Sequence, residues 1–205
     1  AGAIQYFYGP MTTGFGGRGG GGGVNSPEQL ERLMTLNQNY LNDLKKLDFN
    51  SFSIHGKVDY VLLKSKIERA QDGLKRQKAT YSKVSAYLPF AQTIYDFEAK
   101  RRRGTSVNGE QIAGQLHQAT LELQDISKKL KAEKEINAEL ADYLEATVRD
   151  LKSRLQSAFN FYNGYEPMFT WWVPEPYKAL DKELDSYMAL VKSKSNAKVF
   201  DDGSN

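Results

Sequence analysis

Between Gly109 and Tyr162 one apolar position returns every seventh residue: Leu116, Leu123 and Leu130, then Leu144, Leu151 and Ala158. Residues seven apart share one stripe after two helical turns, so this spacing makes a continuous apolar seam only on an α-helix. A companion series, Ile112, Ala119, Ile126 and Leu140, keeps the same period. Both series lapse in the same turn, one at Asn137 and the other at Glu133. An unbroken helix through this stretch would be ~80 Å long, so the double lapse predicts a helical hairpin that bends there.

The flanking segments read the same way. Ser26-Pro27-Glu28-Gln29 combines a capping serine, a proline suited to the first helical position and a capping-box glutamine. It opens a helix to about residue 46, whose Leu30, Leu33, Met34, Tyr40, Leu41, Leu44 and Leu47 form one expected buried stripe. A second helix is predicted over about 57–87, with Val58, Val61, Leu62, Ile67, Leu74, Tyr81 and Val84 as its apolar side, ended by Leu88-Pro89. A short helix over 90–103 stops at Gly104, Asn163-Gly164 closes the hairpin, and a last helix is expected over about 175–194. Pro167 and Pro174 bracket what reads as an extended aromatic connection.

The pattern predicts an all-α fold, an antiparallel bundle of long helices that includes the hairpin, with no strand-like alternation. Gly9 to Gly23, ending in five consecutive glycines, reads as a flexible amino-terminal segment. The rings of Tyr6, Phe7 and Tyr8 suit docking onto the helical body. The expected division is a flexible aromatic and Gly-rich segment (1–25), one helical domain (26–195) and a flexible tail (196–205). The first residue is Ala1 rather than Met, as in a mature form after signal removal or an excised piece.

Candidate chemistry is sparse. There is no cysteine, which excludes disulfides and thiolate nucleophiles, and no apolar stretch reaches the roughly 18 residues of a membrane helix. With 28 basic and 25 acidic residues the net charge of +3 gives no electrostatic footprint for nucleic acid or anionic lipid. His55 and His117 lack metal-ligand spacing, and His117, one residue off the Leu116 stripe, reads as a boundary or surface histidine. Acid pairs such as Glu133 with Glu135 and Asp181 with Glu183 alternate with lysines and read as solvated faces. The glycine tract lacks the phosphate-loop lysine, and Arg18 alone is one phosphate contact.

Two features remain as contact candidates. The run Arg101-Arg102-Arg103 sits where cations complement the end of a helix, with bidentate capture of a carboxylate as the functional alternative. The ring cluster Phe159, Phe161, Tyr162, Tyr165, Phe169, Trp171, Trp172 and Tyr177 needs a cover. The expected cover is the internal corner between the last helix and the hairpin, and the alternative is a partner. Substrate or partner contacts are therefore assigned to Trp171, Trp172, Tyr165, Tyr177, Arg101, Arg102 and Arg103. No catalytic, cofactor-binding or metal residue is assigned.

Several strings match a known pattern. Leu47-Asp48-Phe49 with Gly56-Lys57-Val58-Asp59-Tyr60-Val61-Leu62-Leu63-Lys64 and Ile67-Glu68 resembles the amino-terminal signature of a large bacterial family of domains of unknown function, number eight hundred and eighty-five. So do Leu88-Pro89-Phe90-Ala91, Glu98-Ala99-Lys100-Arg101-Arg102-Arg103, Phe161-Tyr162-Asn163-Gly164-Tyr165, Phe169-Thr170-Trp171-Trp172-Val173 and Pro176-Tyr177, across about residues 26–192. That resemblance implies helical, zinc-peptidase-like proteins, often exported to the periplasm or cell envelope. Their zinc helix lies in a carboxyl-terminal part with no counterpart here, so zinc is implied only for that part. The matching region is then the helical wall of a cleft for a peptide substrate, partnered by the carboxyl-terminal remainder of the same protein. The rival reading is a stand-alone helical module that binds a partner protein through the rings around Trp171 and Trp172.

Overall fold

A computed structural model of the chain describes residues 24–132 and 135–196. Tyr6, Phe7 and Tyr8, the glycine tract with Arg18, Glu133 and the tail from residue 197 lie outside the described residues.

Seven helices follow in order among the described residues: α1 Pro27–Lys45, α2 Ile54–Val84, α3 Ala91–Arg103, α4 Gly109–Ala132, α5 Ala138–Tyr162, α6 Pro167–Trp172 and α7 Pro174–Lys194. Their ends are set by local hydrogen bonding. Ser26 Oγ accepts from the Gln29 amide at 3.2 Å, and Pro27 occupies the first turn of α1 where no amide donor is needed. Gly104, at φ 63°, ends α3 in a left-handed conformation. The bend expected near Asn137 is a new helix start: Asn137 Oδ1 accepts from the amides of Glu139 (2.9 Å) and Leu140 (3.4 Å). The residue that broke the leucine series is a polar cap, so the lapse and the cap are one event.

Two boundaries differ from the sequence expectation. α2 begins at Ile54 because Ser53 caps it on the Gly56 amide. It ends at Val84, and residues 85–87 tighten into a single 3-10 turn ahead of Leu88-Pro89.

The heptad leucines do form the core. Leu116, Leu123, Leu130, Leu144, Leu151 and Ala158 are all fully buried. What covers them is mainly α7, which packs along both α4 and α5, while α3 lies against α5 and more briefly against α4. Leu180, Leu184, Tyr187 and Val191 give α7 a buried stripe with three- and four-residue steps. Each such side chain contributes about 1.5–3 kcal/mol by leaving water. Lys152 of α5 bridges Asp181 and Asp185 of α7 at 3.3 and 2.6 Å, and Tyr187 donates to the Tyr87 carbonyl at 2.8 Å. A two-residue parallel bridge, Ile136 to Ser195 and Asn137 to Asn196, ties the bend to the end of α7. None of the described helices is long and apolar enough to cross a membrane.

α1 and α2 form a separate antiparallel arm. Their register is held by the Lys78–Glu31 ion pair at one end and by the Phe49 and Tyr60 rings, 5.1 Å apart, at the other. Leu30, Leu44, Ile67 and Leu74 fill the seam, with Asn37 and Gln71 buried at one level between them. The main core takes in Tyr81 and Val84 of α2 but no residue of α1. With 31 residues α2 is about 46 Å long, so most of the arm packs only on itself. Here the stripe expectation fails. Leu47, Val58, Val61 and Leu62, expected inside, are exposed. A two-helix arm has a single seam, and α2 carries apolar residues on two opposite sides of which one is covered.

At the arm's base, the Arg154 guanidinium donates to the Val24 carbonyl at 3.0 Å, lies 5.6 Å over the Tyr95 ring and pairs with Asp150. Burial raises the Asp150 carboxyl above its ordinary range, against the pull of Arg154.

Candidate functional site

The ring cluster is built by a corner at one end of the bundle. α5 ends at Tyr162, the chain turns through Asn163 and Gly164, whose φ of 88° suits glycine, and α6 begins at once. Glu166 caps α6 by accepting from the Phe169 amide, and Pro167 fills its first position. Thr170 Oγ1 locks the corner, accepting from the Gly164 amide at 2.9 Å and donating to the Glu166 carbonyl at 3.1 Å. The segment expected to be extended is therefore helical. Both prolines stand at helix starts, where the missing amide costs nothing.

This short helix divides the rings. Phe169 points inward and is fully buried among Phe97, Phe159 and Tyr162, with ring centroids 5.5–6.0 Å apart. Tyr177 stacks face to face on Phe159 at 3.9 Å, and the Tyr162 hydroxyl donates to the Thr105 carbonyl at 2.7 Å. Burial raises the phenols of both Tyr162 and Tyr177. The other half faces water: Tyr165 is 87 % exposed, Trp171 79 %, Met168 57 % and Trp172 40 %, with Phe161 beside them. The internal-corner expectation thus describes half of the cluster, and the partner-surface alternative describes the other half.

Met168 is the member that sequence reading missed. It precedes Trp171 and Trp172 by three and four residues, a helical spacing that has meaning only once Pro167 is read as a first helical residue. The face is held rigidly. α6 lies against the start of α4, where a Cβ on Gly109 would fall 2.6 Å from the Met168 carbonyl oxygen.

The arginine run divides as well. Arg101 makes a two-pronged bond to the buried Glu98, Nε at 2.8 Å and Nη2 at 2.6 Å, which raises the guanidinium's pKa further. It is thereby committed to its own helix. Arg102 keeps only a 3.9 Å approach to the same carboxylate, and Arg103 pairs with Glu28 at 3.3 Å. Arg102, Arg103 and Arg32 line a surface pocket of about 200 Å³ between the start of α1 and the end of α3. Arg32 has no ion-pair partner among the described residues. Of the seven assigned contacts, Trp171, Trp172 and Tyr165 stand exposed at the corner between α5 and α7, Tyr177 stacks inward on Phe159, Arg101 is bound to Glu98, and Arg102 and Arg103 line a separate pocket.

His55 and His117 are both exposed. Among the described residues, no three His, Cys, Asp or Glu side chains are grouped so as to hold a metal ion. No protein-family model, curated protein or solved structure matches the chain.

Proposed function

We propose that the chain is a helical docking module whose rigid aromatic face on α6 receives a partner protein. The observation that carries this reading is the placement of both tryptophans of the chain and Met168 in water on one short helix, with Tyr165 exposed in the turn that leads into it. Tryptophan and tyrosine supply large contact area with few rotatable bonds, and they dominate interface energetics when desolvated by a partner. The inward rings act as the anchor, since Phe169 holds α6 in the core while its neighbours stay outside.

The chain's tryptophans all lie in this face, so their fluorescence reports on it alone. Acrylamide should quench the free protein readily, chiefly through Trp171, and a bound partner should shield it. Proteins retained on the immobilised chain should be lost with Trp171→Ala combined with Tyr165→Ala, at unchanged helicity. Shielded indoles in a monomer, or retention indifferent to the double substitution, would overturn the reading.

The alternative, that these helices form the wall of a zinc-peptidase-like cleft, draws its support from the sequence resemblance. It makes the partner a carboxyl-terminal remainder carrying zinc and a peptide substrate. Its test is the sequence encoded beyond residue 205, where a His-Glu zinc helix is expected.

A further inference from the structure

Cationic side chains from two helices converge on the surface pocket between the start of α1 and the end of α3. Arg32 stands in the second turn of α1, and Arg102 and Arg103 are the last two residues of α3. The three guanidiniums line a volume of about 200 Å³, with Ser26 at its edge. Pockets for drug-sized molecules begin at roughly 300 Å³, so this one suits a compact ligand of few atoms.

The charges around the pocket define that ligand. Among the described residues that line it, Glu28 is the one carboxylate against three arginines. Glu98 adds no free negative charge, because Arg101 holds both of its oxygens, at 2.8 and 2.6 Å. Arg102 Nε lies 3.9 Å from Glu98, beyond hydrogen-bond range. Arg103 gives Glu28 a single bond at 3.3 Å between exposed side chains, a pairing that water and salt keep weak. Each guanidinium carries five donors in a planar fork, and most of these fifteen or so donors are therefore open to a ligand. A planar carboxylate is filled by one or two such forks, whereas a phosphoryl group presents three oxygens in a tetrahedral array. Three forks arriving from two helices match the second. The pocket also opens at the positive end of the α1 macrodipole, where Ser26 and Glu28 line it.

We infer that this pocket binds a dianionic phosphoryl group, as free phosphate or as the phosphate of a small ester, held by Arg32 on one side and by Arg102 and Arg103 on the other. The incoming anion takes the place of Glu28 on Arg103. Because α1 belongs to the arm and α3 to the main core, an anion held there also ties the two together. The site is separate from the aromatic face on α6 and stands whether or not that face docks a partner.

Titration of the full 205-residue chain with inorganic phosphate tests this, at low ionic strength and about pH 8, where phosphate is dianionic. Calorimetry and phosphorus NMR should show saturation at one phosphate per chain with a Kd of about 0.1–1 mM. Arg32→Gln and Arg102→Gln should each weaken binding about ten-fold. Lys128→Gln, which removes the same charge from an exposed pair on α4, should leave it within about two-fold of the parent. Glu28→Gln should tighten binding about three-fold or more, since it frees Arg103 and removes a repelling charge. That gain is an outcome that misfolding does not imitate. Glycerol phosphate binding at least as tightly as inorganic phosphate assigns the site to esters, and a preference for the inorganic ion assigns it to free phosphate. Malonate, a dicarboxylate of the same charge, should bind about ten-fold more weakly than phosphate. A titration that fails to saturate overturns the inference, as do arginine variants that keep the parent's affinity. So does a Glu28→Gln chain that binds more weakly than the parent, or malonate that equals phosphate.

Discussion

At the scale of single residues, the informative side chains are polar groups that burial has put at a disadvantage. Tyr95 is almost fully buried and its hydroxyl has no hydrogen-bond partner among the described residues. Burial, followed by the neighbouring Tyr81 and the carboxylate of Asp150, raises its phenol well above the ordinary tyrosine range against the pull of Arg154. Tyr81, Tyr143, Tyr162 and Tyr177 are raised as well, chiefly by burial. A raised folded pKa gives stability that is complete below the unfolded value of 10.0 and is lost as pH climbs toward the folded value, because the unfolded chain releases its protons first. Urea midpoints measured from pH 8 to 11 should therefore fall steeply above about pH 10. Tyr95→Phe should make that fall shallower and leave stability at pH 7 within about 1 kcal/mol of the parent, because it removes a desolvated hydroxyl and keeps the ring under Arg154. None of this was legible in the sequence, where Tyr95 is one of twelve tyrosines. Its burial depends on α2, α3 and α5 meeting.

Among the elements, α6 is where sequence and structure diverge most, and the reason is local. Six residues with proline at the first position carry too little periodicity to be distinguished from an extended linker. The helix exists because Glu166 and Thr170 satisfy its ends and Phe169 anchors it. Gly109 is its other requirement. A methyl there would sit 2.6–2.8 Å from the backbone of Met168 and Phe169, and backbone cannot swing aside as a flexible side chain does. Gly109→Ala should cost about 1–3 kcal/mol, the range for forced overpacking. It should also shift the tryptophan emission maximum, since α6 must move to admit the methyl. An unchanged spectrum with unchanged thermal midpoint would show that α4 and α6 are looser than their close approach implies. By contrast α1, α3 and the α4–α5 bend were readable to within a residue or two, because Ser26, Gly104 and Asn137 act through neighbours two to four positions away.

For the whole molecule, the bundle and the arm should respond differently to substitution. α7 lies between α4 and α5, so a cavity in its stripe is felt on both sides. Leu184→Ala should lower stability by about 2–5 kcal/mol, the cost of deleting a fully buried leucine. Thermal unfolding followed by circular dichroism checks this, and a loss under about 1 kcal/mol would mean that the core around α7 relaxes to fill the space. The leucine heptads, the capping residues and the Leu88-Pro89 and Asn163-Gly164 stops determined by themselves that the chain is all-α, where most helices begin and end, and that the bend falls near Asn137. These signals lie within one or two helical turns and need no distant partner. Which side of each helix meets another helix was decided only by the tertiary structure. Periodicity marks a face as apolar and does not say what covers it. Hence α7 rather than the hairpin's own partner arm fills most of the leucine seam, the ring cluster divides into an anchor and an exposed face, and α2 keeps an apolar side in water because its arm has only two helices.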